Sequence, residues 1–236
     1  ANALRARVAL YMGNWNLALQ EAKKVIEKYP DLEDLNNSSA LLPTNYKSVE
    51  SIMALEQVIT SQLMNIGHVE PELLNMYSSG DQRKKKYFVA KTLKDWKIRE
   101  RNASEERCTF RTGEFYLIAA EAANELNMKN DALSYIKALM SKRYNSKDYE
   151  TVSAALDALG QEAMRVEIAK ERQKELAYQG HRWFDLRRTT QPEIKKVYAE
   201  SDEESKTYTL EQGDERYTLR FPGDAVAANP EIEKWN

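Results

Sequence analysis

The residues whose types and spacing bear most directly on chemistry are Glu171-Arg172-Gln173-Lys174-Glu175-Leu176. At about 100° per residue of helix, Met164, Ile168, Glu171, Arg172, Glu175 and Leu176 fall within about 140° of one another. Two carboxylates and a guanidinium therefore share the apolar face. A buried carboxylate requires a partner, and Arg presents a planar five-donor fork that satisfies one. The pattern predicts a buried ion network that ties this helix to its neighbours, with Arg111, Arg182 or Arg187 as further donors. The same carboxylates have the residue types of a catalytic or metal-binding pair. A dimetal site in a helix bundle needs Glu-x-x-His, but His181 lies six positions after Glu175 and His68 is remote in sequence. A glycosidase needs only two carboxylates at a suitable separation, and no such pair stands out among the 37 acidic residues.

Other motifs narrow the chemistry. The chain has no Gly-rich phosphate loop, no G-x-S-x-G elbow and no paired-His zinc motif. The single cysteine, Cys108, follows Glu105-Glu106, whose charges disfavour a thiolate. No catalytic residue, metal or cofactor is expected. Arg83-Lys84-Lys85-Lys86 precedes Tyr87 and Phe88, and such a mixture can clamp single-stranded nucleic acid. With 35 basic against 37 acidic residues and a net charge of −2, the broad electrostatic argument for nucleic acid is removed, and the run reads as a solvated loop. The 13 Tyr and 4 Trp outnumber 5 Phe. Such amphipathic rings suit surfaces that stack and also hydrogen-bond, as a sugar's C–H face requires.

The elements that must carry these residues are mostly helical. The chain has 8 Gly and 6 Pro in 236 residues, where average usage would put about 28, and 42% hydrophobic content supplies a core. No apolar run reaches the roughly 18 residues needed to span a bilayer, and the longest candidate, 115–123, is interrupted by Glu121. Ala6, Ala9, Gly13, Ala18, Ala22 and Val25 recur, shifted by 114 positions, as Ala120, Ala123, Asn127, Ala132, Ile136 and Leu139. In the first copy Gly13-Asn14-Trp15 turns one helix into the next and Pro30 closes the unit, as in a tetratricopeptide repeat.

Residues 31–46 read as loop. Residues 51–58 read as a strand or a helix start, and Pro71 as the first position of a helical turn. Residues 81–107 read as exposed, largely extended chain with short strands near 87–89 and 96–98. Thr112 is placed to cap a helix over 112–126, a longer helix is expected over 153–178, and Gly180 stands where a left-handed terminator would. Thr207 to Leu210 and Arg216 to Phe221, around Gln212-Gly213-Asp214, predict a hairpin. The tail from Asn229 reads as irregular.

Glu171-Arg172-x-x-Glu175-Leu176-x-x-x-Gly180-x-Arg182-Trp183-Phe184-Asp185-Leu186-Arg187-Arg188 resembles the signature of the SusD/RagB family of outer-membrane nutrient-binding lipoproteins. In the expected order it is joined by Ala6-Arg7-Val8-Ala9-Leu10-Tyr11 with Trp15, by Asp81-x-Arg83, by Arg111-x-x-Glu114-x-Tyr116-Leu117-Ile118-x-Ala120-Glu121-Ala122, and by the closing 229–236. Two features depart from the family: Lys234-Trp235-Asn236 stands where Gln-Asn-Pro-Gly is usual, and the second repeat lacks its turn glycine.

The resemblance implies a mainly α protein, with tetratricopeptide-like helix pairs (about 1–30 and 112–188), a long irregular ligand-facing region (about 31–111), and a small C-terminal β-hairpin and tail (about 205–236). It implies non-enzymatic glycan binding at the bacterial cell surface, as a lid over a SusC-type TonB-dependent transporter in the outer membrane, with no nucleic-acid partner. Membrane attachment would come through a lipid anchor that this sequence does not contain. Family members usually have about twice this length, so the sequence is expected to be one SusD-like domain from the C-terminal part of a longer chain. Two other classes remain open: a helical-repeat module that binds protein, and a carbohydrate-active hydrolase. The resemblance carries no ligand residues to these positions. The residues themselves nominate Trp96 as a stacking platform, with Tyr87 and Tyr46 beside it and Asn45 as a hydrogen-bonding partner; the alternative is that these rings pack the connection onto the helices.

Overall fold

Alanines at positions 6, 9, 18 and 22 leave two helices free to approach closely. In a computed structural model of the chain, α1 (Asn2–Tyr11) and α2 (Trp15–Lys28) meet through these residues, all four at most 1% exposed. The structure describes residues 1–92, 95–199, 205–229 and 231, which divide into a unit of Ala1–His181 and one of Arg182–Asn236. In the first unit, α2 is followed by β1 (Ser51–Met53), α3 (Ser61–Ile66), α4 (Pro71–Asn75), α5 (Gln82–Tyr87), β2 (Phe88–Ala90), β3 (Trp96–Ile98) and β4 (Phe110–Arg111). Then come α6 (Thr112–Glu125), α7 (Lys129–Ser141), α8 (Ser146–Asp157) and α9 (Gln161–Glu175).

The 114-residue repeat extends to the backbone hydrogen bonds. At the α1–α2 turn the Asn14 N–H donates to Ala9 O at 2.9 Å and Gly13 N–H to Leu10 O at 3.1 Å. At the α6–α7 turn Met128 N–H donates to Ala123 O at 2.8 Å and Asn127 N–H to Asn124 O at 3.0 Å. Gly13 (φ 67°) and Asn127 (φ 59°) occupy the same left-handed position. Glycine adopts that conformation freely, and Asn is among the few other residues that tolerate it. The substitution that weakens the repeat in sequence therefore keeps its geometry.

α6 is apolar on nearly every side, and Phe115, Leu117, Ile118, Ala119, Ala120, Ala122 and Ala123 are all 0% exposed. A helix of this kind has to be enclosed, and α1, α2, α7 and α9 pack around it. Arg7 fixes its start: Nε and Nη2 donate to the two Glu114 oxygens at 2.7 and 2.6 Å, and Nη2 also donates to Thr109 O. The single helix expected over 153–178 is instead two. Asn145 caps α8 eight residues before the expected start at 153, its side chain accepting from Asp148 N–H, and extended Gly160 opens α9. Asn124 and Gln161 exchange side-chain-to-carbonyl bonds that anchor this new start on α6. Thr112 does not cap α6; Arg111 occupies the cap position. Gly180 is left-handed as expected, with φ 80°.

The ion network forms, with a different set of donors. Arg111 Nη1 lies 2.7 Å from Glu175 Oε1 and 3.0 Å from Glu50 Oε2. Arg143, just after α7, reaches Glu50 at 2.5 Å and both Glu175 oxygens at 2.9 Å. Arg83 reaches Glu175 at 3.0 Å, Glu171 at 2.6 Å and Asp81 at 2.7 Å. Lys174 pairs with Glu171 at 2.6 Å. Arg83 and Arg143 are donors beyond those expected. The basic run is correspondingly not an extended solvated loop. Asp81 caps α5 by accepting from Arg83 N–H, and the helix turns Arg83 inward to 0% exposure while Lys85 stays in solvent.

In the second unit, α10 (Arg182–Arg188) is followed by β5 (Ile194–Ala199), β6 (Ser205–Leu210) and α11 (Gly223–Ala228). The expected hairpin is displaced: β6 pairs with β5, from Ile194↔Leu210 to Ala199↔Ser205. Gly213 (φ 70°) and the Asp214 cap instead lead into a 3₁₀ turn at Glu215–Tyr217. The reason is Tyr217, which stacks on Trp183 at 5.1 Å between centroids and donates its hydroxyl to Pro192 O. Apart from Asn229 and Glu231, the tail 229–236 lies outside the described residues.

A Cβ on Gly113 would stand 2.5 Å from Arg111 Nη1, 2.8 Å from Glu50 Oε2 and 3.1 Å from Glu175 Oε1. Gly113→Ala should therefore wedge the network apart and cost roughly 1–3 kcal/mol, read as a lower urea midpoint. At the repeat turn, Asn127→Ala should cost about 1 kcal/mol and Asn127→Gly should not, seen in the two melting temperatures. Burial alone would raise the Glu175 carboxyl, but Arg143, Arg111 and Arg83 hold it well below the carboxylate range; Arg83 and Lys174 likewise hold Glu171 below it. Folded values below the unfolded ones mean that this stabilisation is complete above the unfolded value of about 4.3 and is lost as pH falls through the folded values. Glu175→Gln should cost on the order of 3–5 kcal/mol at pH 7 and flatten the loss of stability in acid, measured by urea titration at pH 7 and below pH 4.

Candidate functional site

Within 31–111, short helices are started by specific residues: Thr60 caps α3, Pro71 opens α4 and Asp81 caps α5. They enclose a second apolar core that includes Leu35, Ile59, Tyr77, Tyr87, Phe88 and Ile98. Phe88 lies edge-on to Tyr77, Tyr87 and Tyr178 at centroid distances of 5.6, 6.1 and 6.2 Å. The Tyr77 hydroxyl donates to Lys174 O at 2.8 Å, which joins this core to α9. β2 and β3 pair antiparallel through Phe88↔Ile98, Val89↔Lys97 and Ala90↔Trp96, and the strands expected near 87–89 and 96–98 are these.

The four nominated residues take different positions. Trp96 is half-buried on the edge of the second core, with Lys84 Nζ 5.4 Å from its ring centroid. Tyr87 adjoins the same sheet but is only 7% exposed. It lines a cavity of about 10 Å³ with Thr44, Ile59 and Tyr178, far too small for a sugar ring, since a single water already requires roughly 10–15 Å³ of such space. Burial, with the nearby Glu175 charge, pushes its hydroxyl well above the ordinary tyrosine value. Tyr46 is exposed, with Lys47 Nζ 5.3 Å from its centroid. Asn45 is buried and committed internally: Nδ2 donates to Glu105 at 3.1 Å and Oδ1 accepts from Lys47 N–H at 2.9 Å. Trp96 and Tyr46 thus present ring surface, whereas Tyr87 and Asn45 hold the chain beneath them. The structure brings Trp96 and Tyr87 to one sheet and sets Asn45 and Tyr46 against Glu105 and Glu106.

Sequence reasoning missed a cleft in this region of about 360 Å³, lined by Met64, Asn65, Val89, Lys91, Lys97, Ile98, Arg99 and Glu100. Alternation along β3 turns Trp96 and Lys97 to opposite faces of the sheet. The cations at 97 and 99, two residues apart after a Trp, are the signal that was present. Arg99 also closes α5, donating to Lys85 O and Phe88 O at 3.0 and 3.2 Å.

The carboxylates that suggested acid–base chemistry are occupied. Glu171 and Glu175 are buried, ion-paired and held below the usual carboxylate range, the opposite of what a general acid requires. Burial pushes the Cys108 thiol up to about 11, which leaves little thiolate at neutral pH. Among the described residues, no group of three or more His, Cys, Asp or Glu is arranged to hold a metal ion, and no helix is long and apolar enough to cross a membrane.

Comparison with known proteins places these features in a family. A curated relative, the SusD-like protein P25 of Formosa agariphila, is 38% identical over 86 residues, covering 36% of this chain and 15% of that protein. A SusD superfamily structure from Bacteroides thetaiotaomicron superposes with a TM-score of 0.72 at 20% identity, over 97% of this chain and 58% of its own. A structure described as a SusD-like carbohydrate-binding protein, from Bacteroides vulgatus, gives a TM-score of 0.67 at 18% identity over 99% and 58%. The chain thus spans a little over half the length of these solved structures and a smaller part of the curated relative, and the mainly α fold is theirs. The sequence profile of the SusD family matches residues 14–227, from the start of α2 through the α6–α7 pair and the Glu171 to Arg188 signature, and the chain belongs to the SusD family.

Proposed function

We propose that this chain binds glycan without turning it over, at the surface of the outer membrane, and passes it to a SusC-type TonB-dependent transporter. Family membership over residues 14–227 carries the reading; a fold shared with a Bacteroides vulgatus protein described as carbohydrate-binding supports it. Attachment to the membrane would come through a lipid anchor outside this sequence, and the chain would form the C-terminal part of a longer SusD-like protein. Within it, Trp96 is the stacking platform and Tyr46 a second accessible ring, with Tyr87 and Asn45 fixing the backbone that carries them. No catalytic group, metal or cofactor is assigned.

A second reading, a helical-repeat module that binds protein, draws on one observation. Leu4 and Val8 on α1 and Met12 at its C-cap form a stripe at four-residue spacing and are 55%, 46% and 75% exposed. That is the spacing at which one helix face packs on another. The two readings separate when the chain is titrated with plant, host and microbial oligosaccharides while product formation is followed. The proposal expects binding with no release of new reducing ends; a protein-binding module would ignore every sugar, and a hydrolase would release product. Trp96→Ala should weaken the bound oligosaccharide roughly five- to tenfold, the equivalent of about 1 kcal/mol of lost ring contact. Circular dichroism establishes that the variant is folded, and unchanged affinity would remove Trp96 from the site.

A further inference from the structure

The cleft beside β2 and β3 carries charge that the protein itself does not neutralise. Several cations of the first unit sit against acids: Arg7 on Glu114, Lys47 on Glu105, Arg165 on Glu125, and those of the buried network. In the cleft, Lys97 Nζ donates to Asn65 O at 2.7 Å and Arg99 to two backbone carbonyls. Lys91 is exposed, and among the described residues none of these three cations has an ion-pair partner. Glu100 is the one carboxylate in the lining, and Asp95, on the same hairpin, is held by His68 Nδ1 at 2.7 Å. With three cations against one carboxylate in its lining, this concave surface carries an excess of positive charge in a chain whose net charge is −2. Its volume of about 360 Å³ lies in the range of small-ligand sites, about 300–1,000 Å³.

The remaining lining gives that charge a direction. Met64, Val89 and Ile98 supply the apolar part of the lining, Met64 and Ile98 being almost wholly buried, and low-dielectric walls strengthen the field of the cations beside them. Lys84 stands over the Trp96 ring, so positive charge flanks the sheet's other face as well. We propose that this cleft binds the anionic groups of an acidic glycan, the carboxylates of uronic acids or sulfate esters, with Lys91, Lys97 and Arg99 as their counter-charges. The proposal rests on the glycan-binding reading above and narrows it to a substrate class. Lysines supply adaptable point charges, while Arg99, fixed by its two carbonyls, supplies the oriented donor.

The test uses the whole chain and glycans in matched pairs: oligogalacturonides, sulfated galacto-oligosaccharides and other acidic oligosaccharides beside their neutral counterparts, together with an oligothymidylate. Calorimetric titration at low and at high NaCl should show the acidic member of a pair binding more tightly and weakening with salt, as exposed charge pairs do, with the neutral member indifferent to salt. Preference between carboxylate and sulfate then identifies the group. Lys91→Gln with Lys97→Gln should lower affinity for the acidic member about fivefold and leave the neutral member unchanged, which also reports that the variant is folded. Lys91→Glu alone, at a side chain without a structural bond, should act in the same direction. Acidic and neutral members bound equally, or an acidic affinity untouched by these variants, would overturn the cleft assignment and leave glycan binding standing. Failure of every glycan to bind would overturn both. Oligothymidylate bound as tightly, and lost in the same variants, would make the cleft a general polyanion surface and overturn the glycan assignment.

Discussion

Three guanidinium groups converge on the carboxylate of Glu175, and the rest of the first unit is arranged around that convergence. Arg111 arrives from the start of α6, Arg143 from the end of α7 and Arg83 from α5, while Glu50, Asp81 and Glu171 complete the neutralisation with Lys174. All of these side chains are buried. Each charge has lost its water, so removing any one leaves another without compensation, and the arrangement holds only as a set. The close approach at Gly113, where a Cβ would meet three of these side chains, shows how little slack the set allows. Apolar packing alone would let α5 or the chain near Glu50 settle in several places. The bonds of Arg83 and Glu50 admit one.

That constraint reaches the irregular segment. Arg83 and Tyr87 lie one turn apart on α5, and Phe88 opens β2 directly after it. Fixing Arg83 therefore fixes the hairpin that bears Trp96 on one face and the cationic cleft on the other. The Tyr77 bond to Lys174 O ties the same core to α9 a second time. A segment with little regular structure can thus present side chains for binding at defined positions, because its backbone is registered against helices through buried charge. The stacked helix pairs act as the rigid scaffold on which such loops depend.

Part of this was legible in residues alone. The repeat could be read because small residues at fixed spacing are the only ones that allow close helix crossings, and Asn127 kept the left-handed turn that Gly13 marks. The face shared by Glu171, Arg172 and Glu175 could be read because helical periodicity is local. The positions of Arg83 and Arg143 in the network were not legible: Arg83 opens a run of four cations that looks solvated, and a single inward turn of α5 separates it from the others. The hairpin was misplaced for a similar reason. Alternation at 216–221 resembles a strand, but Tyr217 gains more by stacking on Trp183, a partner 34 positions away.

For the site, the sequence could nominate aromatic residue types but not their exposure. Trp96 and Tyr46 retain accessible surface, whereas Tyr87 and Asn45, equally plausible by type, are spent inside the fold. The sequence by itself determined the helix pairs, the turn chemistry, the charged face of α9 and the family signature, because each depends on neighbours within a few residues or on a fixed motif. Only the tertiary structure decided which cations meet Glu175, which rings face solvent and that Lys91, Lys97 and Arg99 line one cleft. Those outcomes depend on desolvation and long-range pairing, which become defined only when segments distant along the chain exclude water from between them.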